Sequence, residues 1–189
     1  MTDLRTIART AAGIFGGTPR VVKFYDESEE HSVEILSCTP SPEPGLTSYS
    51  TIGMSAFDND TTIGPRQLRV EVVGIAADSS TAFAGGLSSC AFNLAHDRFQ
   101  IQPKRVFPRV FEGYGQDVTT PHALIWYPFG WTGDFEPLVD DETHIEWLMA
   151  IPITDAEFTF FEANDADALI DVFEANEIDL YDLGRASAL

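Results

Sequence analysis

Between Val110 and Gly184 the chain has no lysine and no arginine. The same stretch carries 18 aspartates and glutamates, whereas residues 1–109 carry 12 acidic and 10 basic residues. The formal net charge of −19 is therefore concentrated in the C-terminal part, and Arg185 follows it. A field of this sign repels nucleic acid and anionic membranes and attracts basic partners. The same acidity serves solubility, and a salt-rich habitat would also favour it.

Other scarcities exclude other classes. No apolar run approaches 18 residues, so no transmembrane helix is predicted. The N-terminal MTDLRTIARTAAGIFGG mixes charged and apolar residues and lacks the apolar centre of a signal peptide, so a cytoplasmic location is expected. Cys38 and Cys90, in apolar or small-residue surroundings, are expected to be reduced core thiols. The G-x-S-x-G nucleophile elbow is missing: Gly53-Met54-Ser55 begins one, but Phe57 stands where its second glycine belongs. His31, His96, His122 and His144 fall in no triad context and no zinc-binding spacing. The paired glycines of FGGTPR and FAGGLSS lack the Walker lysine and the G-x-G-x-x-G spacing, and read as helix stops or turns. NDADALIDVFE lacks the mid-loop glycine of a calcium loop. No catalytic residue, no cofactor and no metal ligand is predicted.

What is present supports a core. Hydrophobic residues make up 44% of the 189, and aromatic residues 12%, with 14 phenylalanines. One domain spanning 1–189 is expected. Leu4, Ile7, Ala8, Ala11, Ile14 and Phe15 recur at helical spacing within an N-terminal helix over 1–17, capped by Thr2 and stopped by Gly16-Gly17. RVVKFYDE, HSVEILSC, LTSYSTIGMSAF and RQLRVEVVGIAA read as strands, the last with Leu68, Val70 and Val72 alternating against Arg69 and Glu71. LSSCAFNLAHDRF reads as a helix with Gly85-Gly86 at its edge, and RVFEGYGQDV as strand and turn. HALIWYPFGW and IEWLMAIPI are apolar enough for central strands buried on both faces. Two C-terminal helices are expected over 154–176. Thr154 and Glu157 form a capping box with an Ile153–Phe158 staple, and Ala166, Leu169, Ile170 and Phe173 form a buried stripe. The fold class is α+β: a mixed, largely antiparallel sheet flanked by α-helices.

The candidate chemistry is recognition. WYPFGWTGDFEP packs seven aromatic or proline residues into twelve, and Asp140, Asp141 and Glu142 follow at once. Asp167, Asp171 and Glu174 share one face of the last helix, a like-charge arrangement that a basic neighbour would relieve. With Trp131 as an aromatic anchor, these six carboxylates are the candidate partner-binding residues. The alternative is a small metal-dependent enzyme using the carboxylate and histidine cluster from Asp140 to Glu146 in DDETHIEW, which otherwise is an acidic loop entering a strand.

Four segments together resemble the suppressor of fused domain family in its single-domain bacterial form. They are TSYSTIGMS, LIWYPFGW, WLMAIPITDAEFTFFE and LIDVFEANEIDLYDLGR. The points of likeness are Thr51, Gly53 and Met54; the helix start from Pro152 to Glu157; and the tail with Ile178, Asp179, Asp182, Leu183 and Arg185. The resemblance runs from Val21 to Arg185. It implies a mixed sheet flanked by helices and a non-enzymatic protein-binding domain. It also implies, for bacterial members, an immunity protein masking a toxin. The two-domain peptide clamp of the animal relative needs a second domain for which this chain is too short. Ser50 and Ser55 are then structural, not nucleophilic.

Overall fold

The computed structural model describes residues 2–77, 81–115 and 117–189. Within them one sheet contains β1 (Thr18–Tyr25), β2 (Ser32–Thr39), β3 (Leu46–Ile52), β4 (Thr62–Ile63), β5 (Arg66–Ala77), β6 (Arg105–Phe107), β7 (His122–Trp126), β8 (Leu138–Val139) and β9 (Thr143–Ile153). The helices are α1 (Leu4–Phe15), α2 (Thr81–Asp97), α3 (Asp155–Ala163) and α4 (Ala166–Ala175). The strand order is β1-β2-β3-β5-β9-β7-β6, with β4 added to β5 and β8 to β9. Among the described residues, only β5 and β9 run parallel, with Gln67 opposite Thr143 and Val73 opposite Met149; the other pairs are antiparallel. The mixed, largely antiparallel sheet expected from the sequence is therefore present.

Strand alternation sorts the core into two layers. Val73, Ile75, Trp147, Met149 and Ile151 face α1 and α4, meeting Ile7, Ala11, Phe15, Leu169 and Phe173. Val70, Val72, Leu148 and Ala150 face α2, meeting Phe83, Leu87 and Leu94. The parallel β5–β9 pair lies between these layers, so β9 is apolar on both sides, as its sequence predicts. Each fully buried leucine or phenylalanine contributes about 1.5–3 kcal/mol. Cys38 belongs to one layer and Cys90 to the other. Both are buried free thiols, and burial pushes them up to about 11 and about 12.

Several boundaries differ from the sequence reading. Asp3, not Thr2, caps α1 by accepting from the Thr6 amide at 2.8 Å. The third run leaves the sheet at Ile52, because Gly53 adopts φ 99° and starts a 3-10 turn, Met54–Ala56. Gly85 and Gly86 lie inside α2, not at its edge. A Cβ on Gly86 would fall 2.0 Å from the Phe111 ring, and one on Gly85 2.3 Å from Tyr114. The pair marks where the aromatic loop meets the helix backbone. That loop is most of RVFEGYGQDV; its Gln116 lies outside the described residues, and the strand precedes it at β6. HALIWYPFGW is strand only to Trp126.

Glu71 departs most from expectation. It alternates as a polar-face residue in the sequence, yet it is fully buried. Its Oε1 accepts from the Gly53 amide at 2.9 Å, the Ser55 amide at 3.1 Å and the Ser55 hydroxyl at 2.6 Å; its Oε2 accepts from Thr51 Oγ1 at 2.5 Å. Thr51 Oγ1 in turn accepts from the Val72 amide at 2.8 Å. Thr51 and Ser55 of TSYSTIGMS therefore satisfy a buried acid and the backbone around it.

Candidate functional site: an acidic-rimmed aromatic groove

Asp165 starts α4 by accepting from the Ala168 amide at 2.8 Å. Ala166, Leu169 and Phe173 turn inward, which leaves Asp167, Asp171 and Glu174 exposed. Lys104, just before β6, bonds Asp167 at 2.5 Å, and its ammonium lies 5.6 Å above the Trp126 ring. The Asp167 hydrogen bond, opposed by partial desolvation, raises the Lys104 pKa. This is the basic neighbour that the acidic helix face called for, and it reaches one of the three carboxylates.

The end of β7 and the chain after it complete the site. Trp126, Phe129, Ile170, Phe173 and Ile178 line a groove of about 430 Å³, rimmed by Glu174 and Glu177. Tyr127 and Phe129 are both exposed large aromatic residues beside it. Gly130 turns the chain away with φ 96°, a region that favours glycine. A side chain there would also meet Ile75 at 2.8 Å and the Tyr181 hydroxyl at 2.9 Å. The sequence flagged this aromatic run as a whole but missed Trp126, Phe129 and Glu177 individually. Only the fold sets them opposite α4.

Trp131 sits differently from a free anchor. It is half-buried, its indole N–H donates to Ser48 Oγ at 2.8 Å, and its ring lies 5.2 Å from Phe15 and 5.3 Å from Phe135. It forms the wall of a second groove of about 360 Å³ with Phe15, Pro42, Glu43 and Tyr181. Asp140, Asp141 and Glu142 occupy the β8–β9 turn. Asp140 accepts from the amides of Thr143 at 2.8 Å and Glu142 at 3.0 Å, and these bonds hold its carboxyl well below the usual range. Asp141 and Glu142 are exposed. The seven candidates therefore lie on three elements: α4, the loop after β7, and the β8–β9 turn.

The Asp140–Glu146 stretch does not assemble a metal centre among the described residues. Asp140 is engaged by its own turn, and His144 Nε2 pairs with Glu146 at 2.6 Å. The ligand atoms that converge among the described residues belong to other side chains. His122 is likewise structural. Its Nδ1 accepts from the Arg109 amide at 3.1 Å, which fixes the proton on Nε2, and Nε2 donates to Asp155 at 3.0 Å.

Two of the segments quoted from the sequence meet in a buried ion pair. Glu157 closes the predicted capping box by accepting from the Thr154 amide at 2.8 Å. Arg185 donates to both its oxygens, at 2.6 and 2.8 Å, and also to the Pro152 carbonyl at 3.0 Å. The Ala188 amide adds a further bond at 2.9 Å. Leu183 accepts from Thr119 and Thr120, so the tail is pinned along its length beside the groove that Ile178 lines.

The family profile of suppressor of fused protein (SUFU) matches residues 29–186. Immunity protein YqcF of Bacillus subtilis (strain 168) is 36% identical over 185 residues, covering 98% of this chain and 96% of that one. A suppressor of fused homologue from Neisseria gonorrhoeae FA 1090 superposes with a TM-score of 0.73 at 17% identity, over 98% of this chain and 94% of the other. A chain of the Sufu–Fu complex superposes with a TM-score of 0.68 at 9% identity, over 98% and 91%. With most of its length matched by the family profile and nearly all of it by YqcF, the chain belongs to the suppressor of fused family.

Proposed function

We propose that this chain is an immunity protein: a non-enzymatic domain that binds and masks a basic toxin. The observation that carries the reading is the 36% identity to immunity protein YqcF across 98% of the chain. The groove between Trp126, Phe129 and α4 supports it. It offers apolar surface for a central anchor and carboxylates at the rim. Asp171 and Glu174 are exposed acids on that side, and Asp141 and Glu142 are exposed acids on the β8–β9 turn.

The test co-expresses the chain with each protein encoded beside its gene and measures growth. The expected result is growth protection and a stable complex of the two purified proteins. Phe129→Ala combined with Glu174→Lys is expected to abolish both without unfolding the protein, since Phe129 and Glu174 reach solvent. A chain that neither protects nor forms a complex overturns the proposal.

A further inference from the structure

Asp26, His31 and His96 are far apart in sequence but meet in the fold. Asp26 follows β1, His31 precedes β2, and His96 lies in the last turn of α2. Asp26 Oδ2 is 3.0 Å from His31 Nδ1 and 2.9 Å from His96 Nε2. All three atoms lie within 4.8 Å of one another. The two imidazoles are nearly perpendicular, 83° apart, with centroids at 4.9 Å.

We propose that these three side chains form a binding site for one divalent transition ion of the Zn²⁺ class. Two imidazoles and one carboxylate are the donors such an ion prefers; Mg²⁺ and Ca²⁺ prefer an all-oxygen shell. Around a tetrahedral ion with bonds of about 2.0–2.1 Å, neighbouring ligand atoms are about 3.3 Å apart. The two Asp26–histidine contacts are a few tenths of an ångström shorter, and the two imidazole nitrogens lie within 4.8 Å of each other, so a modest side-chain adjustment admits the ion in place of the hydrogen-bonding protons.

The supporting bonds are already made. The Asp26 side chain is 4% exposed; its Oδ1 accepts from the His31 amide at 3.2 Å, and its Oδ2 from the Ser28 hydroxyl at 3.1 Å. The Asp26 amide donates to the His31 carbonyl at 3.1 Å, which closes the turn, and the His31 ring meets Phe57 edge-on. Such outer contacts orient metal ligands. The histidine side chains are 35% and 44% exposed, which leaves an open fourth position for water. Glu27, Glu29 and Glu30 in the turn add negative charge, and Arg98, near His96 in sequence, lies toward Asp60. The ion would clamp the β1–β2 turn, at an exposed sheet edge, onto the end of α2.

The test strips the full chain with a chelator, then titrates Zn²⁺ by calorimetry and Co²⁺ by visible absorption. One ion per chain, a tetrahedral-type Co²⁺ band and a higher thermal midpoint with Zn²⁺ are expected. His31→Gln and His96→Gln should each weaken Zn²⁺ binding by about tenfold or more, while His144→Gln leaves it unchanged. Both substituted histidines are partly exposed, and circular dichroism checks that the variants fold. Absence of saturable binding at micromolar Zn²⁺ overturns the proposal. So does binding that both variants leave intact.

Discussion

Glu71 and Glu157 are both fully buried carboxylates, yet their surroundings act on them in opposite directions. Burial raises the Glu71 pKa, and the bonds from Ser55, Thr51 and Gly53 only partly oppose it. Burial would raise Glu157 too, but the Arg185 fork and the Thr154 and Ala188 amides hold it below its ordinary value of 4.5. The signs of their pH dependence follow. Glu157 contributes stability above about pH 4.5 that is lost as pH falls through its lowered pKa. The Glu71 contribution is full below about pH 4.5 and is lost as pH rises. Urea midpoints measured from pH 4 to 8 should therefore fall less toward high pH in Glu71→Gln than in the native chain. Arg185→Ala should cost about 3–5 kcal/mol at neutral pH, because it strands a buried charge. Ser55→Ala removes one of four donors to Glu71 and should cost about 1–2 kcal/mol in urea unfolding while toxin capture persists.

At the scale of elements, the glycines of the helices separate propensity from packing. Gly13 lies in α1 with open space where a Cβ would stand. Gly13→Ala should stabilise by about 0.5–1 kcal/mol, read as a rise in thermal midpoint. Gly86→Ala gains the same propensity but drives a methyl into buried Phe111, and should destabilise by about 1–3 kcal/mol. The sequence announces α3 fully, because a capping box is a local arrangement of Thr154 and Glu157. It misplaces the glycine pair of α2, because Phe111 and Tyr114 lie more than 20 residues downstream. No local rule connects them.

For the whole molecule, charge is the dominant property. Among the described residues, Arg185 is consumed by Glu157, Lys104 pairs with Asp167, and Arg109 reaches Glu112 and Asp155. Asp141, Glu142, Asp171 and Glu174 remain exposed, and the proposed function makes them contacts for a basic partner. Association with a basic toxin should slow by about tenfold or more between low and high salt in stopped-flow measurements. Asp171→Asn with Glu174→Gln should flatten that dependence while changing stability by less than about 0.5 kcal/mol, since both residues are exposed. An on-rate indifferent to salt removes the electrostatic part of the proposed function.

The sequence by itself determined the α+β class, the central strands β7 and β9, the cap of α3 and the acidic, aromatic character of the C-terminal part. Each of these rests on periodicity, composition or contacts within a few residues. The tertiary structure decided where those features meet. It placed Phe129 opposite α4, withdrew Trp131 onto Ser48, joined Arg185 to Glu157 and gathered Asp26, His31 and His96. It also gave Thr51 and Ser55 of TSYSTIGMS their task, which is to satisfy Glu71 on the neighbouring part of the sheet. Strand pairing and helix docking set these long-range contacts, and residue spacing carries no record of which distant partner will arrive.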